Sequence, residues 1–138
     1  MTAITARKDT RRQEAVRLPF PVEENTKIPE GALVSVNAAG YAVNASDTAS
    51  ERVVGVACET ADNTGGADGA IDVIVWTDGA HSFVSGFSAT IANVGDKVFA
   101  VDNQTVDLAT TTTNDILVGV VVGIESSSQV RVLLTCYN

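Results

Sequence analysis

The sequence predicts an all-β protein, built as a single β-barrel or a jelly-roll-like sandwich with an internal pseudo-repeat and preceded by an extended N-terminal arm. One pattern of short apolar runs occurs twice along the chain. Hydrophobic residues make up 45% of the chain but aromatic residues only 5%, so the core must consist mainly of Val, Ala, Ile and Leu. The β-branched residues in that set favour strands. We therefore expect little helix.

The repeat is the strongest of these observations, because its two copies match at a constant separation of 64 residues. Gly31, Val34, Val54, Gly55 and Val56 recur as Gly95, Val98, Val118, Gly119 and Val120, whereas Leu33 is answered by Lys97. After a contraction, Ile71, Val73 and Val75 match Val130, Val132 and Leu134 at a separation of 59. One short-stranded unit cannot bury its apolar face alone, so two copies predict a closed or two-layered β domain.

The chain divides into a predicted arm, residues 1–28, and a body, residues 29–138. Residues 1–15 are polar and show no strand alternation. Proline follows at positions 19, 21 and 29, which favours extended backbone and removes donors from a sheet ladder. Leu18 and Phe20 in the arm need an apolar partner, which is either the body of the same chain or another subunit.

Short apolar runs bounded by turn residues predict the strands of the body. They cover residues 32–36, 41–43, 52–58, 70–77, 81–84, 87–91, 97–101, 105–108, 116–124 and 129–135. The pair Asp78-Gly79 is typical of a type I′ turn and predicts that 81–84 returns alongside 70–77. The continuous apolar run 117–122 predicts a strand that is buried on both faces.

Charge separates the arm from the body. The net charge is −8, yet residues 1–17 carry five basic and two acidic side chains, while residues 31–138 carry three basic and twelve acidic ones. An acidic body repels phosphate backbones, so nucleic acid is not expected as a partner. The basic leader fits either a segment that docks on an acidic surface or a solvated tail. No run of 18 apolar residues predicts a membrane span, and no signal-peptide core precedes the body.

The residue types needed for catalysis or metal binding are sparse. His81 is the only histidine, and Cys58 and Cys136 lack the spacing of a metal or redox motif, so two reduced thiols are favoured over one disulfide. Hard oxygen ligands come close together only in and next to the loop 61–69, at Asp62, Asp68 and Asp72. A flexible acidic loop is favoured there over a calcium site. We predict neither an enzyme nor a bound cofactor.

The order of these motifs resembles that of the small capsid decoration, or cement, proteins of tailed bacteriophages. The motifs lie at residues 31–34, 54–56, 73–79, 95–98, 110–113 and 118–120. The resemblance implies a β-barrel or sandwich subunit that sits on the outside of a viral head shell, bridges capsomers and stabilises the particle. The implied partners are the major capsid protein and further copies of this chain, as a dimer or a trimer. The implied location is the virion exterior, after assembly in the host cytoplasm.

Applied to this chain, the resemblance suggests that the arm makes the contact with the shell or with an adjacent subunit. The expected contact residues are Arg11, Arg12, Arg17, Leu18 and Phe20.

Two other functions remain open from the sequence. A surface adhesive or carbohydrate-binding β-sandwich would use exposed aromatic rings, and Trp76 with Phe83 and Phe87 is the candidate patch. A small β-barrel enzyme would use the acidic loop around Asp62.

Overall fold

The computed structural model describes residues 2–10, 12–13 and 15–137, and its regular elements are almost entirely β-strands. The strands are β1 (Arg17–Pro21), β2 (Lys27–Ile28), β3 (Leu33–Val36), β4 (Ala42–Asn44), β5 (Arg52–Ala57), β6 (Ala61–Asp62), β7 (Asp72–Trp76), β8 (Ala80–Ser85), β9 (Lys97–Ala100), β10 (Thr105–Asp107), β11 (Leu117–Ser126) and β12 (Gln129–Leu134). One 3₁₀ helix covers Ile91–Asn93. The all-β prediction is confirmed.

The second half of the chain forms a closed barrel of five strands in the order β10-β8-β12-β11-β9. Its neighbouring strands are antiparallel except β8 and β10, which run parallel and close the barrel. A closed barrel has no free strand edge. We call this unit the barrel.

The first half forms a five-stranded sheet in the order β1-β7-β5-β3-β4, which we call the first sheet. Just beyond β1, Val22 makes a parallel bridge with Ala42 of β4, so that the two outer strands meet at one point. Strands β2 and β6 pair separately as a short ribbon.

The two halves repeat one topology. Replacing β1, β7, β5, β3 and β4 by β8, β12, β11, β9 and β10 converts the order of the first sheet into that of the barrel. The separation of 64 carries the bounds of β3, Leu33–Val36, onto those of β9, Lys97–Ala100. The sequence repeat therefore corresponds to two copies of one five-stranded unit.

The repeated glycines have a steric cause. A Cβ on Gly55 would lie 2.0 Å from the carbonyl oxygen of Trp76, and a Cβ on Gly119 would lie 1.9 Å from that of Leu133. Both glycines sit beside a shift of strand register, which is typical of a β-bulge. The Val-Gly-Val motif thus lets a neighbouring strand approach closely at the same place in each half.

Apolar side chains form two separate clusters. The first lies against one face of the first sheet and includes Val22, Ile28, Ala32, Val34, Ala42, Val54, Ala57, Ala61, Val73 and Val75. The second fills the barrel and also takes in Leu33, Ala45, Val53 and Val56, which come from the opposite face of the first sheet. One face of the first sheet thus packs against the barrel, and its other face packs on its own core.

Three strand predictions are wrong in detail. Residues 81–84 do not return along β7, because the chain turns at Gly79 out of the first sheet and β8 joins the barrel. Residues 87–91 form no strand and lead into the 3₁₀ helix. Val122 is 45% exposed, since a shift of register in β11 turns part of the run 117–122 to solvent.

Candidate functional site

The residues that precede β1 form the most basic exposed segment of the described chain. Residues 2–10, 12–13 and 15–16 are exposed and contribute to no strand. Arg12 lies among them, whereas Arg11 lies outside the described residues. Arg7 and Asp9 form an ion pair of 3.6 Å in which both side chains are more than 90% exposed. Such a pair contributes little to stability, so the segment presents its charge to solvent.

The other three predicted contact residues belong to β1. Leu18 and Phe20 are half-buried, and Phe20 packs against the core of the first sheet. Arg17 points to the other side, with its guanidinium carbon 5.3 Å from the centre of the Trp76 ring. Of the two partners that the sequence left open, the same chain supplies the apolar partner of Phe20. Only the exposed remainder of these side chains is available to another molecule.

Two prolines shape the free edge of β1. The amide of Val22 donates to Ile71 O at 3.0 Å, and the amide of Thr77 donates to Val16 O at 2.9 Å. Ladder bonds alternate along a strand, so even-numbered residues bond to β7 and odd-numbered ones face the free edge. Pro19 and Pro21 therefore stand where an amide would point outward. This arrangement disfavours the addition of another strand to β1.

The aromatic patch predicted for a carbohydrate-binding module is not assembled. Phe83 is 3% exposed inside the barrel, and Phe87 is half-buried against the same core. Trp76 is 36% exposed and has Arg17 over its ring. One ring thus reaches the surface where the sequence suggested three.

The acidic loop is ordered by its own hydrogen bonds. Asp62 accepts hydrogen bonds from the hydroxyl and from the amide of Thr64, which lower the pKa of the Asp62 carboxyl. Asp68 accepts from the amide of Glu24 at 2.7 Å. The buried Asn63 amide donates to three backbone carbonyls, those of Val22, Glu23 and Ala67. Nowhere in residues 2–10, 12–13 and 15–137 do three or more His, Cys, Asp or Glu side chains form a group that could hold a metal ion.

The remaining candidate groups for chemistry are two thiols and one imidazole. Cys58 and Cys136 are free thiols, and burial raises the pKa of Cys136 to about 11. A thiol with a raised pKa is a poor nucleophile near neutral pH. His81 is half-buried beside the turn, with Nε2 2.9 Å from Asp78 O.

A polar contact that the sequence did not predict joins the first sheet to the barrel. Asp47 accepts hydrogen bonds from the amides of Thr113 at 2.8 Å and Asn114 at 2.9 Å. These bonds lower the pKa of the Asp47 carboxyl. Next to it, the amide of Leu33 donates to Asn103 O at 2.8 Å. The sequence carried one sign of this contact, the mismatch of Leu33 with Lys97 in the repeat. Leu33 has to be apolar because it is buried against the barrel, whereas Lys97 is exposed.

A concavity of about 510 Å³ lies at one end of the first sheet. It is lined by Val36, Asn37, Ala38, Ala39, Gly40, Ser50 and Arg52. We call it the open end. Arg52 is its charged side chain, and the turn between β3 and β4 forms one wall.

The surfaces of the described chain that are suited to contact are therefore the basic segment, the exposed parts of the Arg17, Leu18 and Phe20 side chains on β1, and the open end. Within the same residues, no helix combines the length and the apolar character required to cross a membrane. The chain matches no protein-family model, no curated protein and no solved structure.

Proposed function

We propose that this chain is a structural capsid decoration, or cement, protein. It binds the outside of a viral head shell, bridges neighbouring capsomers and stabilises the particle. Its partners are the major capsid protein and further copies of itself, with no part for nucleic acid, membrane, cofactor or catalysis. The chain assembles onto the shell in the host cytoplasm and stays on the virion exterior.

The observation that carries the proposal is the contrast between an exposed basic segment and a compact acidic β body. Residues 2–10, 12–13 and 15–16 are exposed, while residues 31–138 carry twelve acidic and three basic side chains. A bridging protein needs a rigid body and a separate contact segment, and this division provides both. In this proposal the body, as a barrel or a jelly-roll-like sandwich, is the rigid part, and the arm within residues 1–28 is the contact.

The motifs behind the family resemblance also have structural roles in this chain. Gly31 and Gly95 have positive φ angles of 84° and 96° at matching positions, and Gly55 and Gly119 permit close strand approach. The glycines of the motifs that carry the resemblance thus help to specify the fold of this chain. They support the proposal through the architecture and assign no catalytic residue.

Multivalent binding supplies the physical mechanism. A single basic segment gives a weak, salt-dependent contact. Several copies held on one oligomer raise one another's effective concentration at the shell, so the particle retains them far longer than a single contact would. The exposed remainders of Leu18 and Phe20 add apolar area. Full burial of one such side chain contributes about 2 kcal/mol, and burial of the exposed remainder contributes less. Arg12 and Arg17 contribute charge beside them.

The test is the number of copies per particle. Particles from the source lysate are banded on a density gradient, and this chain is counted against the main shell protein by quantitative mass spectrometry. We expect a fixed ratio near one copy per shell subunit or a simple fraction of it. A handful of copies would indicate a fibre or an adhesin, and absence from the particles would contradict the proposal.

A full-length charge variant then tests the arm. Arg7, Lys8 and Arg12, each replaced by Glu, should reduce retention on the particle, and the effect should shrink as salt is raised. The control reverses two exposed charges of the body, at Lys97 and Arg131, neither of which lies in the arm. Deletion of residues 1–28 is unsuitable, because Val22 and Ile28 are fully buried in the first sheet. Equal retention of both variants would exclude the arm as the contact.

A further inference from the structure

The open end of the first sheet has an equivalent in the barrel. The separation of 64 carries its lining, residues 36–40, 50 and 52, onto residues 100–104, 114 and 116. Both sets occupy the same place in the shared topology, at the turn that joins β3 to β4 in the first sheet and β9 to β10 in the barrel, and near the start of β5 and of β11, which carry the Val-Gly-Val motif. The barrel therefore shows what this end looks like when it is occupied.

In the barrel, the equivalent end is covered by one face of the first sheet. Ala100 and Ile116 belong to the same apolar cluster as Leu33 and Val53. The contact is polar at its margin, where the Asp47 carboxylate accepts hydrogen bonds from the backbone amides of Thr113 and Asn114. The side-chain amide of Asn103 donates to Asn44 Oδ1 at 3.1 Å. The occupant thus presents a carboxylate beside aliphatic side chains.

The first sheet lacks such a cover in the part of the chain that the structure describes. Ala100 is fully buried, whereas its equivalent Val36 is only half-buried. Ile116 is 8% exposed, whereas Arg52 at the equivalent position is exposed. The two ends differ because a face of the same chain covers the barrel end alone, and because Arg52 stands at the position of the aliphatic Ile116.

We propose that the open end is a docking site for a partner segment that carries a carboxylate flanked by aliphatic side chains. Val36 and the turn 37–40 receive the aliphatic part, as the barrel end receives Leu33 and Val53. Arg52 binds the carboxylate. This inference rests on the proposed function, in which the segment belongs to the shell protein, and it adds a second contact to that of the basic arm.

Charge decides against a second copy of this chain as the occupant. The face of the barrel equivalent to the covering face has Lys97 at the place of Leu33 and Thr111 at the place of Asp47. That face has lost the carboxylate and gained a cation, so docking it at the open end would bring Lys97 to a surface that already holds Arg52. Like charges brought together in this way disfavour the contact.

The experiment compares full-length Arg52→Glu with full-length Lys97→Glu on the same particles. Both side chains are exposed, and Lys97 lies on β9, outside the arm and outside the lining of the open end. We expect Arg52→Glu to lower retention about tenfold and Lys97→Glu to leave it unchanged, because a reversed charge in a contact removes attraction and adds repulsion. Thermal unfolding of both variants checks that the fold is intact.

A photo-crosslinking residue at the exposed position of Ala39 identifies the occupant. Crosslinks to the shell protein that disappear with Arg52→Glu support the proposal. Crosslinks between two copies of this chain would overturn the choice of occupant. Wild-type retention of Arg52→Glu would overturn the docking site while leaving the proposed function intact. Absence of the wild-type chain from the particles would overturn both.

Discussion

The first sheet and the barrel share one strand order but close in different ways. The barrel closes through paired residues of β8 and β10, whereas the first sheet closes through one bridge between Val22 and Ala42. The edge of β1 beside that bridge carries two prolines. Proline is therefore tolerated in β1, which has a free edge, whereas the equivalent strand β8 is paired on both sides and contains no proline.

The faces of the two units differ for the same reason. Leu33 is fully buried because the barrel covers it, while Lys97 at the equivalent position is exposed. Ile116 and Arg52 form a second pair of this kind. The two halves therefore keep the residues that shape each sheet and diverge at the residues that meet the other half. Substitutions at matched positions can test each part of this comparison.

The largest effect is expected at the contact between the two units. Leu33→Ala removes a fully buried side chain from the cluster that joins them. Such a truncation leaves a cavity and should lower the free energy of unfolding by about 2–5 kcal/mol. Lys97→Ala at the equivalent exposed position should change it by less than about 0.5 kcal/mol. Urea unfolding measures the free energy of unfolding of both variants. Equal losses would contradict the interpretation that the contact between the two units buries Leu33 but not Lys97.

The next effect concerns what the two units share. Gly119→Ala places a Cβ against a backbone carbonyl, so the neighbouring strand must move, at a cost of about 1–3 kcal/mol. Gly55→Ala should cost at least as much, since Gly55 also has a φ of 152°. Gly123→Ala is the matched control on β11, because its Cβ would meet Arg131 at an ordinary 3.6 Å. Thermal unfolding that ranks Gly123→Ala with the other two would contradict the steric role.

The sequence predicted the parts of the fold that depend on local pattern. The repeat, the all-β class and most strand positions follow from alternating apolar residues and from glycines such as Gly55 and Gly119. The pairing of β8 did not follow, because the turn at Asp78-Gly79 is compatible with either a hairpin or a crossing between two units. Turn chemistry fixes the local backbone, whereas the partner of the following strand depends on distant residues.

The candidate contact surfaces were predictable to a smaller degree. The basic segment was evident from charge alone. Pro19 and Pro21 predicted extended backbone outside a sheet interior, but not that β1 pairs with β7 as the outer strand of the first sheet. The open end was not evident, since it requires the equivalence of two units and the knowledge that one end is covered. Ile116 and Arg52 occupy equivalent positions, but the sequence does not show that Ile116 is covered by the first sheet. Without that contact, the difference between the two residues gives no reason to expect a docking site at Arg52.

A smaller effect should appear as a pH dependence at Asp47. The amides of Thr113 and then Asn114 lower the pKa of this carboxyl below its usual value of 3.8. Because the pKa is lowered on folding, the stabilisation is complete above pH 3.8 and is lost as the pH falls through the folded value. Asp47→Asn should therefore be destabilising at pH 7, and the difference from wild type should shrink towards pH 2.5.

Urea unfolding of the wild type and Asp47→Asn at the two pH values tests this sign. Asp78→Asn is the control, since Asp78 is an exposed residue in the turn that joins the first sheet to the barrel. A difference from wild type that grows at low pH would contradict the assignment of the stabilising form to the carboxylate.

The smallest change in stability is expected at the edge of β1, where the comparison concerns closure. Pro19→Val adds an amide that points away from β7, so no bond within the sheet changes and the free energy of unfolding should move by about 0.5 kcal/mol or less. The free edge does gain a donor, and we expect association that increases with concentration. Gln129→Val introduces the same exposed side chain on β12, which has a bonded neighbour on each side in the closed barrel. Sedimentation over a dilution series should show association for Pro19→Val alone, and equal association of the two variants would mean that the added apolar surface, rather than the open edge, is responsible.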